Sequence, residues 1–313
     1  MKAEIRKAAE ILRAGGLVAF PTETVYGLGA DAANEKAMSR LYAVKRRPVD
    51  HPVIIHFQDS EKAFAWAREV PAAARKLAER FWPGPLTLIL QRSERAKDFV
   101  TGGQETVGLR VPSHPVAHEL LSAFGAGVAA PSANRFGLVS PTTAAHVRED
   151  LGSDVDLVLE GGRSEVGIES TILDLSGDLP VLLRPGHISR DELTRVIGCE
   201  VVDPSRGATR HPGGLERHYA PRTPARLVPA HSLDREISKG KAKVAVLAFS
   251  RPDERVDYWL RMPREPQAYA QRLYAALREL DTAGCERILV EAPPETAEWS
   301  AVRDRLKRAC DQA

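Results

Sequence analysis

An apolar stretch near the start of this sequence leads into small polar residues and then into three adjacent cations. Residues 17–20 are apolar, residues 21–31 add hydroxyls and glycines, and residues 45–48 read Lys-Arg-Arg-Pro. Glycines let backbone amides approach a ligand closely, and cations neutralise an anionic one. These segments therefore supply the parts of an anion-binding pocket and favour an enzyme over a scaffold.

The length and composition indicate a globular protein of two domains. A chain of 313 residues exceeds the commonest size of a single domain. Apolar residues make up 43% and charged residues 27%, which argues against disorder or a fibrous fold. The net charge of +2 is too small for a protein that coats nucleic acid, but it allows a local basic patch.

Neither a membrane span nor a secretory signal is expected. The sequence has no run of about 18 apolar residues, and no long apolar segment follows its charged N-terminus. Cys199, Cys285 and Cys310 are odd in number and far apart, which fits a reducing compartment better than a disulfide framework. We expect a cytoplasmic protein that does not contact a membrane.

The periodicity predicts a mixed α/β fold. Helical spacing covers residues 5–12, 72–81 and 116–124, and Asn34 can cap a further helix. Because the last strand patterns follow one another through short turns, part of the sheet should be antiparallel. Strands are predicted at residues 17–20, 53–57, 86–90, 107–111, 128–130, 157–159, 171–175 and 181–183.

A change in composition divides the chain. Between residues 203 and 224, Pro, Gly, Arg and His replace the apolar periodicity, and we interpret this segment as an interdomain linker. The larger domain then covers residues 1–202 and a small α/β domain covers residues 225–313. The small domain is of the βαβ type, with strand patterns at 244–249 and 287–291 and helical patterns at 269–280 and around 302–309.

The cationic segment and one histidine each allow two interpretations. Lys45, Arg46 and Arg47 could bind a polyphosphate, or they could be solvated cations at a helix end. His56 lies in an apolar strand, where it could orient a substrate or be a hydrogen-bonded core residue. Spacing alone leaves both choices open.

Several other polar residues follow predicted strands. Arg110 and Arg184 each end a strand before a proline, and ligands of open α/β sheets gather at such strand ends. The small-residue loop at 129–134 could bind an anion through its amides, or it could be a plain turn before a helix capped by Ser140 or Thr142.

Common catalytic motifs are absent from the sequence. Residues 27–32 match a dinucleotide fingerprint only loosely, because residues 21–26 separate them from the strand. His114 and His118 lack a further metal ligand. No Walker loop, G-x-S-x-G elbow or evident nucleophilic cysteine occurs. An enzyme with this sequence would work by positioning reactants and neutralising charge.

Five motifs together resemble the YrdC-domain threonylcarbamoyl-AMP synthases, in the right order over about residues 5–200. The linker and the small domain resemble the long, two-domain form of that family. The motifs are PTETVYGL at 21–28, KRRP at 45–48, WPGPLT at 82–87, PSAN at 131–134 and EST at 169–171, with HYAP at 218–221 in the linker.

The resemblance implies a fold and a reaction. The fold would be a twisted mixed parallel and antiparallel sheet around a basic concave cavity, followed by a small Rossmann-like domain. The reaction would condense L-threonine, bicarbonate and ATP to threonylcarbamoyl-AMP and pyrophosphate, with Mg²⁺ entering on ATP rather than on protein ligands. A downstream threonylcarbamoyl-transferase complex would then modify an adenosine of tRNA.

The resemblance also assigns residues by motif. Lys45 and Arg47 would be catalytic. The threonine site would consist of Thr22, His56, Arg110, Ala130 and Ser170. The ATP site would consist of Lys45, Arg47, Thr106, Ser132, Asn134, Ser140 and Arg184, with His218 of the linker closing over it. The linker departs from the family at residues 213–217, which read Gly-Gly-Leu-Glu-Arg where glycine, methionine, lysine and an aromatic residue are usual.

One alternative belongs to another functional class. A concave basic surface could bind double-stranded RNA by shape without any catalysis, and a contact with tRNA is compatible with either hypothesis. Binding that falls steeply with salt and ignores threonine would favour the RNA-binding module. Threonine-dependent release of pyrophosphate would favour the synthase.

Overall fold

The computed structural model describes residues 2–205, 209–215, 217–239 and 242–312, and residues 206–208 and 216 of the predicted linker lie outside it. The helices predicted at residues 5–12, 72–81, 116–124, 269–280 and around 302–309, and the helix capped by Asn34, are confirmed. The α-helices are α1 Lys2–Arg13, α2 Glu35–Lys45, α3 Ser60–Phe64, α4 Ala72–Phe81, α5 Asp98–Thr101, α6 Pro115–Phe124, α7 Ala144–Leu151, α8 Arg190–Ile197, α9 Leu233–Ile237, α10 Pro266–Asp281 and α11 Ser300–Ala309.

A mixed sheet forms the larger domain, as predicted, and the described residues contribute nine strands to it where the sequence predicted eight. The strands are β1 Val18–Phe20, β2 Gly27–Asp31, β3 Ile54–His56, β4 Leu86–Gln91, β5 Thr106–Arg110, β6 Val128–Ala129, β7 Leu157–Val158, β8 Thr171–Asp174 and β9 Val181–Arg184. Their spatial order is β7-β1-β2-β6-β3-β5-β4-β8-β9, with parallel and antiparallel pairs.

Strand β2 was not predicted from the sequence. It pairs antiparallel with both β1 and β6, although two of its five residues are glycines. A Cβ atom on Gly29 would lie 2.9 Å from side-chain atoms of both Phe20 and Val128. The strand therefore needs glycine for close packing, which hides the usual signature of branched and aromatic residues.

The end of α2 directs two cations inward. Asn34 caps the start of this helix, as expected, by accepting hydrogen bonds from the amides of Lys36 and Ala37. Arg46 ends it in the left-handed conformation, at φ 53°. This turn leaves Arg46 exposed while Lys45 and Arg47 are buried on either side of it.

A second sheet of five strands forms the small domain, and all its pairs are parallel. The predicted strands at 244–249 and 287–291 are confirmed, whereas the other three strands were not predicted. The strands are β10 Ala225–Val228, β11 Val244–Ala248, β12 Tyr258–Arg261, β13 Arg287–Glu291 and β14 Asp311–Gln312, in the order β12-β11-β13-β10-β14. No helix in the described part of the chain is long and apolar enough to cross a membrane.

The two sheets are joined by packed side chains as well as by the linker. Arg278 of α10 donates to the carboxylate of Asp150 at the end of α7, and also to the backbone oxygen of Val139 at 2.6 Å. Within the linker, Tyr219 stacks on Tyr274 of α10, and the two ring centroids are 5.8 Å apart. Residues 218–221 of the predicted linker are therefore a buried part of the structure. The boundaries of the linker stay a prediction.

We expect Arg278→Ala to lower the free energy of unfolding by about 3 kcal/mol, because it leaves Asp150 buried and without this cation. The side chains of Arg278 and Asp150 are only 12% and 5% exposed. Urea denaturation measures the effect. Arg40→Ala is the control, since it removes an exposed pair with Asp156 and should cost less than about 1 kcal/mol. Equal losses in both variants would contradict the interdomain role.

Candidate active site

A cavity lies in the larger domain at the carboxyl ends of strands β3, β5 and β9. His56, Arg110 and Arg184 are the last residues of these three strands, and all three line the cavity. Strands β3 and β5 are parallel neighbours, with His56 opposite Arg110. The structure thus gathers the strand-end arginines in one place. The linker covers the cavity with Pro212, Gly213, His218 and Tyr219.

Most of the predicted site residues meet in this cavity. Those that line it are Arg47, His56, Arg110, Ala130, Ser132, Ser170, Arg184 and His218. Of the others, Thr22 is buried beside the lining residue Thr24, and their hydroxyls are 2.8 Å apart. Thr106 lies on the same face of β5 as Arg110 but about 13 Å farther along the strand, beyond the lining residues.

Three predicted nucleotide-binding residues lie behind the cavity wall. The ammonium group of Lys45 donates to the backbone oxygens of Ser132 and Asn134 and so fixes the loop that follows β6. The Asn134 amide donates to Leu138, and the Ser140 hydroxyl donates to Glu169 at 2.6 Å. These side chains shape the wall rather than facing its open space.

Arg110 is paired with a buried carboxylate. Its Nη2 atom lies 2.6 Å from Oε1 of Glu23, and its Nε atom donates to the backbone oxygen of Gly84 at 3.3 Å. The other oxygen of Glu23 accepts the amide of Ser113 at 3.1 Å. Because both side chains are almost completely buried, Glu23 fixes the direction in which Arg110 faces the cavity.

Arg184 is held mainly by neutral groups. It donates from Nε to the backbone oxygen of Ser170 at 3.0 Å and from Nη2 to the Ser170 hydroxyl at 3.1 Å. Its Nη1 atom donates to the backbone oxygen of Pro212 at 2.9 Å. These contacts orient the guanidinium and leave its charge uncancelled.

Lys45 and Arg47 are also buried cations with neutral partners. Arg47 donates to the backbone oxygen of Pro52 at 2.7 Å, and its guanidinium lies 5.2 Å from the centre of the Phe136 ring. Burial and the neighbouring Arg47 lower the pKa of Lys45 well below its ordinary value. Burial lowers the pKa of Arg47 to about 10. Burial beside another cation makes positive charge at this wall unfavourable without an anion.

The charges around the cavity therefore sum to a positive surplus. Within the described residues, no carboxylate oxygen lies within 4.0 Å of a side-chain nitrogen of Lys45, Arg47 or Arg184. Because buried cations normally pair with anions, a surplus at a cavity fits a ligand that brings its own negative charges. The arrangement can bind a carboxylate and phosphates side by side.

His56 and His218 contribute neutral rings to the wall. Burial is the main cause that lowers the pKa of each to about 3, and Arg110 adds to the effect on His56. The Nδ1 atom of each ring is buried without a hydrogen-bond partner in the described structure. Each ring can therefore accept one hydrogen bond from an uncharged part of a ligand, or donate one to it.

Three residues at the site, Glu23, Glu169 and Tyr219, were not predicted from the sequence. Glu169 lines the cavity and is bound by Ser140, Tyr274 and Arg305, while Tyr219 lines the cavity from the linker. A signal for the two carboxylates was present. Both stand in otherwise apolar or small-residue motifs, where a buried acid requires a cationic partner.

The comparisons with known proteins agree with this geometry. A family described as "Telomere recombination" matches residues 10–186, and one described as "Threonylcarbamoyl-AMP synthase, C-terminal domain" matches residues 188–310. The chain is 41% identical to the threonylcarbamoyl-AMP synthase of Pyrococcus abyssi, over 98% of this chain and 94% of that protein. This chain belongs to the threonylcarbamoyl-AMP synthase family.

Further relatives support the same assignment. The threonylcarbamoyl-AMP synthase of Bacillus subtilis is 39% identical over 98% of this chain and 92% of its own length. The crystal structure of Pyrococcus abyssi Sua5 complexed with L-threonine matches with a TM-score of 0.92 at 38% identity, covering 100% of this chain and 97% of that one. The family and the two-part fold inferred from the motifs are thus confirmed.

An RNA-binding module without catalysis is not favoured. Lys45, Arg47, Arg110 and Arg184 are only 1%, 7%, 4% and 2% exposed. A duplex is recognised by cations presented on an accessible surface. The basic residues of this cavity are enclosed and suit small anions instead.

We expect the stability of the fold to fall as the pH falls from 6.5 to 5. In this range an unfolded chain protonates His56 and His218, whereas the folded protein keeps both neutral because their pKa values are about 3. The unfolded state therefore binds more protons. Each histidine should lower the free energy of unfolding with a slope that approaches about 1.4 kcal/mol per pH unit as the pH falls below 6.5.

Urea denaturation at several pH values checks this expectation. His218→Gln should make the dependence shallower, whereas the same change at the exposed His231 should keep the slope of the natural protein. A free energy of unfolding that stays constant between pH 6.5 and 5 would contradict the neutral, buried state of these rings.

Proposed function

We propose that this protein condenses L-threonine, bicarbonate and ATP to threonylcarbamoyl-AMP and pyrophosphate. The observation that carries the proposal is the group of buried cations around one cavity, three of which have no carboxylate partner in the described structure. A triphosphate and an amino acid carboxylate are the anions that such a cavity would gather. The names of the relatives support this choice.

The threonine would bind at the end of the cavity formed by β3 and β5. Arg110 would bind the carboxylate, since Glu23 already fixes its orientation. His56 and the Ser170 hydroxyl can bind the amine or the hydroxyl of threonine, and Ala130 leaves room for its methyl group. Thr22 would act indirectly, because its hydroxyl is bonded to Thr24 and Val25.

The nucleotide would bind between Arg47, Ser132, Arg184 and His218. Lys45 would contribute positive charge from behind the wall and would position the loop at Ser132 and Asn134. Ser140 would act through Glu169, and a role for Thr106 requires a ligand that extends along β5.

Mg²⁺ is proposed to enter with ATP, whose phosphate oxygens are suitable ligands for it. No group of three His, Cys, Asp or Glu side chains in the described part of the chain could hold a metal ion. When bound, Mg²⁺ would neutralise phosphate charge.

In the proposed mechanism, the threonine amine combines with bicarbonate to form a carbamate and release one water molecule. A carbamate oxygen then attacks the α-phosphorus of ATP. The bond between this phosphorus and the oxygen that bridges to the β-phosphate breaks, and pyrophosphate leaves. Arg110 and Arg184 offset the repulsion between the two anions and align them. The linker segment with His218 and Tyr219 would exclude water, which protects the carbamate and the mixed anhydride from hydrolysis.

The product would pass to a threonylcarbamoyl-transferase complex that modifies tRNA. A mixed anhydride of this kind reacts readily with water, so direct transfer to that complex would limit its loss. We place this activity in the cytoplasm, where tRNA, ATP and a reducing environment occur together. A contact with tRNA itself remains part of this proposal.

Labelled bicarbonate tests the proposed reaction directly. The pure protein is incubated with ATP, Mg²⁺ and labelled bicarbonate, with and without L-threonine. A labelled adenylate and pyrophosphate should form only when threonine is present. ATP turnover without a labelled adenylate, or binding of double-stranded RNA with no threonine-dependent product, would contradict the proposal.

We expect Arg110→Gln to raise the threonine concentration for half-maximal rate at least about tenfold, because it removes a charge-assisted hydrogen bond to the carboxylate. The double variant Glu23→Gln/Arg110→Gln also removes the carboxylate left without its partner. It should fold and show the same defect. Arg92→Gln is the control, since Arg92 pairs with the exposed Asp98 and Glu105. A normal threonine requirement in the double variant would place the substrate elsewhere.

A further inference from the structure

Glu169 poses an electrostatic problem for a cavity that binds anions. Its carboxylate lines the cavity directly beside Ser170, and the residue is only 7% exposed. A negative charge there repels phosphates and attracts Arg184. Burial alone would raise the pKa of Glu169, but Arg305 and Arg184, with the Ser140 hydroxyl, lower the pKa to about 2. The group therefore stays ionised.

The second domain supplies the cation that binds this carboxylate. Nε of Arg305, in α11, donates to Oε2 of Glu169 at 2.8 Å, and the Tyr274 hydroxyl of α10 donates to the same oxygen at 2.8 Å. The Ser140 hydroxyl donates to the other oxygen. Within the described residues, hydrogen bonds from Arg305, Tyr274 and Ser140 thus occupy both oxygens of Glu169, and two of these three partners belong to the second domain.

Arg305 also holds the two backbone segments that carry site residues. Its Nη2 atom donates to the backbone oxygen of Glu169 at 3.1 Å, and its Nη1 atom donates to the backbone oxygen of Pro185 at 3.0 Å. These residues directly precede Ser170 and directly follow Arg184. Arg305 has a side-chain exposure of 0%, and its guanidinium lies 5.4 Å from the centre of the Tyr219 ring. It therefore contacts both strand ends and the linker from one position.

We propose that Arg305 is a positioning residue for the nucleotide: it neutralises Glu169 so that Arg184 remains available to the phosphates. Without Arg305, Glu169 has no ion pair left among the described residues. Arg184 is then the cation with which its carboxylate interacts electrostatically. Arg184 then turns toward Glu169, and the cavity loses one cation for its ligand. The small domain is in this way part of the active site.

This inference rests on the proposed function for the identity of the nucleotide as ATP. Its test therefore includes a readout that needs no catalysis. The dissociation constant of a non-hydrolysable ATP analogue is measured by calorimetry in the full-length protein, beside the KM values for ATP and threonine. Thermal unfolding monitors the fold of each variant.

Arg305→Gln should weaken binding of the ATP analogue at least about tenfold and raise the KM for ATP by a similar factor. The KM for threonine should change much less. The double variant Glu169→Gln/Arg305→Gln loses the same volume at position 305 but also loses the unpaired charge. It should bind the analogue within about threefold of the natural protein. Arg303→Gln is the matched control, because Arg303 lies in the same helix as Arg305 and its ion pair with Glu295 is exposed.

Tyr274→Phe keeps the test decisive if Arg305→Gln does not fold. It removes one hydroxyl donor to Glu169 and should weaken analogue binding by about threefold to tenfold, with little change in KM for threonine. Equal weakening in Arg305→Gln and in the double variant would overturn the proposal, since loss of packing would then be the cause. Normal analogue binding in Arg305→Gln, or in Tyr274→Phe where the former is unfolded, would overturn it as well.

The two proposals can fail separately. If the natural protein forms no labelled adenylate, the proposed reaction is wrong, and the inference about Arg305 is judged by the dissociation constants alone. If the adenylate forms but the variants bind the analogue normally, the reaction stands and Arg305 has only a structural role.

Discussion

Buried cations surround one cavity, and the repulsion among them shapes the architecture of the site. Lys45 and Arg47 lie two residues apart, and both are buried because Arg46 turns the chain through the left-handed region. Backbone carbonyls hold both side chains, and such neutral partners orient a cation without cancelling its charge. The surplus destabilises the empty cavity, and anionic ligands would relieve it. Stability and ligand binding are therefore coupled through the same residues.

Two carboxylates beside the cavity, Glu23 and Glu169, have different partners and different effects on its cations. Glu23 is bound to Arg110 and fixes a cation that faces the cavity. Glu169 is bound from the opposite side by Arg305 and Tyr274, which belong to the second domain. The linker passes over the same region and adds His218 and Tyr219 to the wall. The second domain and the linker are therefore electrostatic and steric components of the site rather than appendages to a complete catalytic domain.

Much of the fold and the location of the site could be predicted from the sequence. Helices with strong apolar periodicity, such as α4 and α10, were readily placed, and Arg110 and Arg184 were predicted together from their positions at strand ends. Strand β2 could not be predicted, because its glycines serve packing against Phe20 and Val128. Helix α8 was missed although Ser189 and Glu192 form a capping box. The contact of Arg305 with Glu169 joins positions 136 residues apart, which no local pattern encodes.

Threonine and the nucleotide are proposed to bind together in this cavity against its surplus cations. A crystal structure of the protein with L-threonine and a non-hydrolysable ATP analogue tests this arrangement. We predict the threonine carboxylate against Arg110 and the phosphates against Arg47 and Arg184, with the Glu169 carboxylate still bound to Arg305. Either ligand bound outside this cavity, or phosphates that contact none of these cations, would contradict the account.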